Sequence, residues 1–320
     1  MSSGTTPPIE LKKSRRYCRQ LATSHYENFL VASILLPRRM RQPFYNIYAF
    51  CRTADDVADE SADERTALEG LDRLQHQIDR LFASQPAADS QPAADSQPAA
   101  DSQPAADSWA PTDCQTPTEG LFPALADTVA TYRLDKRPFD DLLSAFRQDQ
   151  QIKQYESMPQ LIDYCSRSAN PVGRLVLQLA DSLDPTTAAL SDEICTGLQL
   201  ANFWQDLSRD HAIGRIYLPA DVRKRFGVSV SMLAEPSTPA GLRESLAFLC
   251  DQAENYFHRG LPLVDHVPAW LRSDIKLFAH GGLATLDAIR EIDFDVLRVR
   301  PKVGKIKQGM LVGRALLGKL

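Results

Sequence analysis

Gln199, Asn202, Asp206 and Asp210 recur at helical spacing through one apolar segment, and that pattern narrows the fold sharply. Intervals of three, four and four residues place them on one stripe of a helix three turns long. Leu198, Leu200, Ala201, Phe203, Trp204 and Leu207 fill the positions between, so the helix is expected to be largely buried. Polar groups buried without partners cost roughly 2–7 kcal/mol each. A stripe of amides and carboxylates there needs something polar to face. Either a network between helices or a bound metal and phosphate would serve.

A second acidic cluster, Asp55, Asp56 and Asp59, lies in CRTADDVADE. Asp55 and Asp59, like Asp206 and Asp210, are four apart and share a helix face, where like charges repel by a few tenths of a kcal/mol, about 0.2–0.5. Hard cations between two such faces would remove the repulsion, and Mg²⁺ prefers carboxylate oxygens together with substrate phosphates. Asp56 points about 100° away around the helix, so it either joins the metal or pairs with a base. Arg52, three residues before Asp55, is either a surface salt-bridge partner or a guanidinium that reaches diphosphate oxygens.

The remaining sequence also reads as helix after helix. Apolar periodicity predicts helices over 15–36, 43–59, 63–83, 122–133, 137–151, 158–168, 171–182, 187–209, 239–259, 268–291 and about 308–319. Pro37 stops the first, and Pro171 either begins a helix or kinks one. No alternating strand pattern is convincing, and IYL at 216–218 is too short to count. One segment stands apart: residues 84–107 are four copies of SQPAAD. A proline in every copy and no bulky apolar residue predict a disordered insertion running to about Gly120. The expected architecture is therefore all-α, one domain over 1–320 interrupted at 84–120.

Composition excludes several classes. A net charge of −5 does not favour nucleic acid as a partner. Six cysteines without a Cys-x-x-Cys pair resemble no zinc site and read as reduced thiols of a cytoplasmic protein. No stretch approaches a transmembrane span, no signal-peptide core precedes the first helix, and no Gly-rich nucleotide loop or Ser-His-Asp arrangement appears. After Asp295 the chain carries no acid but seven bases, from Arg298 to Lys319, among Met310, Leu311, Val312, Leu316, Leu317 and Leu320. That tail fits a helix docked on the core with solvated lysines, or a peripheral contact with the inner face of an anionic membrane.

The motifs together resemble the squalene/phytoene synthase family, head-to-head prenyl transferases of the all-α isoprenoid synthase fold. The matching segments are HYENF-VASILLP at 25–37, YAFCRTADDVADE at 48–60, YCSRSANPVGR at 164–174, QLANFWQDLSRD at 199–210 and GRIYLP at 214–219. The resemblance implies a central cavity flanked by two Asp-rich helices that bind Mg²⁺ and a prenyl diphosphate. On that reading Asp55, Asp56, Asp59, Asp206 and Asp210 hold metal. Arg52, Gln199, Asn202, Phe29 and Phe203 meet the substrate. Arg52 also acts in catalysis with Arg167 and Asn170. Phe50, Leu175, Leu179 and Trp204 are further wall candidates.

Three departures from the family pattern matter. Condensing members carry Tyr where this chain has Arg167, and usually Arg where it has Gln205. A late-helix Tyr of the family corresponds to Phe294. The SANPVGR and NFWQDL wording resembles the hopanoid-pathway branch, which takes presqualene diphosphate and water to hydroxysqualene and diphosphate. Arg167 and Asn170 would then hold the water, or Arg167 the departing diphosphate. The other readings are a condensing enzyme making presqualene diphosphate, squalene or phytoene, and a prenyl-lipid-binding subunit without turnover. Association with other squalene-pathway enzymes is a further expectation.

Overall fold

Caps and prolines set where the helices begin. In the computed structural model, which describes residues 8–24, 36–84, 119–317 and 320, α1 spans Pro8–Ser24, α2 Arg38–Glu60 and α3 Glu64–Ala83. Asp63 caps α3 by accepting from the Thr66 N–H at 2.7 Å. α4 (Phe122–Tyr132), α5 (Arg137–Gln151), α6 (Met158–Ser168) and α7 (Asn170–Leu179) each carry Pro in the first two positions, where a missing N–H removes no helical bond. α8 (Pro185–Ala212) starts with a capping box between Asp184 and Thr187. Short α9 (Ala220–Arg225) precedes α10 (Ala240–Gly260), α11 (Ala269–Glu291) and α12 (Lys305–Leu316).

The all-α expectation holds: among the described residues the one β feature is an isolated parallel bridge between Gln154 and Ile216. Several boundaries differ from the sequence reading. α1 begins at Pro8 rather than 15, and residues 25–35, with Phe29 and His25, lie outside the described residues. α2 begins at Arg38 rather than 43 and runs through Pro43. Pro37 forms its N-cap, so the chain is already helical when the proline arrives in the second turn, and Pro43 is buried against the core. α9 and three 3₁₀ turns were too short for periodicity to reveal. Pro171 does begin a helix, at its second position. The SQPAAD repeat lies outside the described residues except Ser84, whose N–H closes α3 on the Arg80 carbonyl at 3.1 Å.

Two apolar cores result. The first gathers α1 to α5 around Phe44, Phe50, Leu71, Leu125 and Phe139, with Phe50 and Phe139 edge to face at 5.1 Å. The second gathers α6, α8, α10 and α11 around Leu161, Trp204, Leu246 and Phe257. α8 joins them, giving Ile194 to the first and Leu200, Phe203 and Trp204 to the second. It packs on α7, α10 and α11. Gly173 permits the α7 contact: a Cβ there would stand 2.3 Å from Ser191 Oγ and 2.6 Å from Cys195 Sγ. The glycine of SANPVGR thus serves helix packing. Cys18, Cys51, Cys165, Cys195 and Cys250 are all free thiols.

Candidate active site

A cavity of about 300 Å³ lies where the two cores meet. α2 presents Tyr48, Arg52, Asp55 and Asp59 to it, and α8 presents Gln199, Asn202, Phe203 and Asp210. α5 adds Leu142, Phe146 and Asp149, and α6 with α7 adds Tyr164, Ser168 and Val172. Arg215 and Tyr217 complete the lining. They arrive because the chain reverses after α8 at Gly214, whose φ of 80° lies in the left-handed region that glycine enters freely. The reversal is fixed by Arg215 N–H donating to the Asp210 carbonyl at 2.8 Å, and Ile216 N–H to Lys153 at 2.7 Å.

The acids are not equivalent. Arg52 lies 2.6 Å from Asp56 Oδ1 and 3.3 Å from Asp55 Oδ2. Burial opposes the Arg52 charge, but Asp56 and Asp55 outweigh it and lift the guanidinium above its usual value. Its Nε remains buried with no hydrogen-bond partner. Asp59 pairs across the cavity with Arg215 at 2.7 Å. Burial likewise opposes the Arg215 charge, yet Tyr217, Asp59 and Asp149 raise it further still. Asp210 is pushed up to about 7, first by burial and then by Asp206.

Asp206 and Asp56 do not line the cavity. Asp206 is clamped from outside by Arg300, whose Nη2 donates to Oδ2 at 2.9 Å and whose Nε donates to Oδ1. The preceding residue holds the same segment: Gln205 Nε2 donates to the Pro301 carbonyl at 2.8 Å. Gln205 therefore ties down the chain that carries Arg300. Among the described residues no three His, Cys, Asp or Glu side chains converge as a metal-holding group. The expected set of five metal aspartates is thus divided: Asp55, Asp59 and Asp210 on the cavity, Asp56 on Arg52, Asp206 on Arg300.

Arg167 and Asn170 are also elsewhere. Arg167 donates to Gln148 at 2.7 Å and pairs with Asp163 at 2.9 Å on the α6 surface. Asn170 is buried and accepts from Thr196 at 3.0 Å, joining α7 to α8. The residue of this segment that does reach the cavity is Ser168, whose buried Oγ has no partner. Tyr164, Ser168 and Val172 stand four apart in the sequence, and although the helix breaks at Ala169 between the last two, all three reach the cavity. Phe294 sits in the turn after α11 at φ 57°, packed on the second core. Phe50 and Trp204 are fully buried core.

Behind the cavity surface is a polar cluster that no single motif announced. Asp149 is 4% exposed and accepts from Tyr164 at 2.5 Å and Tyr217 at 3.2 Å. Burial pushes its carboxyl up to about 6 despite both hydrogen bonds. Burial also holds both phenols well above their ordinary value, so they remain neutral donors. Tyr217 stacks on Phe203 at 3.9 Å and 12°. The cavity therefore combines carboxylates from three helices, two arginines, an orphan hydroxyl and an aromatic wall.

Known proteins carry the same arrangement of sequence and fold. The squalene/phytoene synthase family model matches residues 22–307. A hydroxysqualene synthase from Rhodopseudomonas palustris is 32% identical, over 77% of this chain and 73% of its own. A 15-cis-phytoene synthase from Synechococcus elongatus is 28% identical, over 92% and 89%. The crystal structure of squalene synthase HpnC from Alicyclobacillus acidocaldarius superposes with a TM-score of 0.74 at 37% identity, covering 92% of this chain and 98% of that one.

Proposed function

The chain belongs to the squalene/phytoene synthase family, and from that membership we propose that it converts presqualene diphosphate and water to hydroxysqualene and diphosphate. The observation that carries this reading is the polar floor of the cavity, where Ser168 Oγ lacks a partner beside Tyr164. A product that contains a hydroxyl needs one ordered water at the cation, and an orphan buried hydroxyl is a place to hold it. The 37% and 32% identities to a squalene synthase HpnC and a hydroxysqualene synthase support the same branch.

The chemistry begins with cleavage of the substrate's C–O bond, the electron pair leaving with diphosphate. Arg52 donates to the departing oxygens through its orphan Nε, and Arg215 adds a second charge at the same wall. Carboxylate oxygens are the donors a hard divalent cation prefers, and Asp55, Asp59 and Asp210 offer them from both helices. No three of them converge on one point, so Mg²⁺ would be shared between one or two of these carboxylates and the diphosphate oxygens, where it would neutralise charge developing on the leaving group. Gln199 and Asn202 supply amides to the same ligand.

The carbocation left behind faces Phe203 and Tyr217, whose stacked rings exclude bulk water while it rearranges. Water held at Ser168 then forms the new C–O bond. Its proton passes by way of Tyr164 toward Asp149, the buried carboxylate that accepts from Tyr164 and Tyr217. Atoms balance: one C–O bond breaks, one forms, and the proton ends on the carboxylate before returning to solvent.

A condensing enzyme is the second reading, favoured by the phytoene synthase match across 92% of the chain. Incubation with Mg²⁺ and either farnesyl or presqualene diphosphate, followed by mass spectrometry of the lipid, separates the two. Consumption of presqualene diphosphate alone is expected, and consumption of farnesyl diphosphate alone would overturn the proposal. In Ser168→Ala the alcohol should fall about tenfold relative to hydrocarbon products, a loss on the scale of one hydrogen bond.

A further inference from the structure

α12 turns two different faces outward and inward. Ala315 is buried at 3% exposure against the body of the protein, where α12 packs on α11. On the opposite side Ile306, Met310 and Leu317 stand 82%, 57% and 69% exposed. Ile306, Met310 and Gly313 fall within a narrow arc of α12 at intervals of four and three, and Leu317, its C-cap residue, continues the line. A core-packing reading leaves that stripe unexplained, because it points away from the core that Ala315 seals.

The surroundings supply the chemistry of its partner. Lys302 and Lys305 are exposed beside the stripe, and Arg314 is exposed on its other flank. From Val296 onward the sequence contains no acidic residue. The nearest acids on α11, Asp287 and Glu291, are bridged by Lys307 at 3.1 and 3.4 Å, so they do not offset the lysines on the outer face. A protein with net charge −5 has here one locally cationic, apolar ridge. An apolar stripe rimmed by bases is complementary to the headgroup boundary of an anionic bilayer, which takes the side chains in and attracts the lysines.

We propose that α12 docks the protein on an anionic lipid surface, with Ile306, Met310 and Leu317 inserted and Lys302 and Lys305 on the headgroups. Among the described residues no helix is long and apolar enough to cross a membrane, so the contact lies in the interfacial plane. It rests on the surface of α12 and not on the chemistry of the cavity.

The test is co-sedimentation of the full chain with vesicles of phosphatidylcholine alone or with about 30% phosphatidylglycerol. Binding to the anionic vesicles is expected, falling as salt is raised. Ile306→Ser with Met310→Ser, and separately Lys302→Gln with Lys305→Gln, should each weaken it by about tenfold. These side chains are exposed, so both variants keep the wild-type circular dichroism and thermal transition. Absence of wild-type binding, equal binding to both vesicle types, or undiminished binding by either variant overturns the proposal. A mass by light scattering that is dimeric for the wild type and monomeric for Ile306→Ser with Met310→Ser, without vesicle binding, assigns the stripe to a second copy and also overturns it.

Discussion

α2 and α8 carry the same acidic spacing and face one cavity, yet their aspartates sit in different electrostatic settings. On α2, each aspartate stands within 3.3 Å of a guanidinium: Asp55 and Asp56 of Arg52, and Asp59 of Arg215. On α8, Asp206 is taken by Arg300 on the outer side, while Asp210 faces the cavity and is pushed up to about 7. Identical spacing therefore yields one helix whose acids sit in close ion pairs and one whose inner acid feels Arg215 and Arg209 only at longer range, with burial and Asp206 prevailing.

Asp210→Asn should break that comparison most severely. Removing this carboxylate is expected to lower turnover by about 1,000-fold, a loss on the scale expected if it helps hold the cation that neutralises the leaving group. Single-turnover product formation measures it, and circular dichroism should be unchanged. Asp274 on α11 provides the contrast. It too is pushed up to about 7, by burial alone, and both its oxygens are buried without partners. A folded-state value above the ordinary 3.8 means that the folded protein holds this proton more tightly. Stability is therefore full below about pH 4 and falls as pH rises through about 7. Asp274→Asn should remove that decline, gaining about 2–4 kcal/mol at pH 8 by denaturant melts, with turnover unaltered. Asp210→Asn should also flatten the pH dependence but without activity.

Smaller changes sharpen the α2 side. Arg215→Gln removes the Asp59 partner and a cavity cation, and should cost about 100-fold in kcat, measured at saturating Mg²⁺. Arg300→Gln releases Asp206 without touching the cavity lining. Turnover should change less than tenfold, since the pair is partly solvated. If Asp206 joins the ligand set once released, the Mg²⁺ concentration for half-maximal rate should drop severalfold; an unchanged value would leave Asp206 a purely structural partner of the C-terminal segment.

The helical fold was legible because amphipathic periodicity and proline placement are local properties, as α5 and α6 illustrate at 137–151 and 158–168. The start of α2 was not, because Pro43 reads as a boundary when its buried setting is unseen. In the site, Gln199, Asn202, Asp210, Asp55, Asp59 and Arg52 were found from stripe and family wording alone, and the structure brings them to one cavity. Asp206 and Arg300 lie 94 residues apart, so no local pattern reveals their pairing. Asp149 is 68 residues from Tyr217 and hidden among Gln148, Gln150 and Gln151, a polar run that resembles a solvated helix end. Arg167 stands where the family has a tyrosine, which marks it in the sequence. A side chain that long reaches Asp163 and Gln148 instead, and its neighbour Ser168 takes the inward position.

Quenching of the cation by water is the step that separates the proposed reaction from a condensing one. Turnover of presqualene diphosphate with Mg²⁺ in ¹⁸O-labelled water, read by mass spectrometry of the lipid, tests it directly. An alcohol product that carries the label from solvent at full enrichment is expected. A hydrocarbon product without label, or failure to consume presqualene diphosphate while farnesyl diphosphate is consumed, would contradict it.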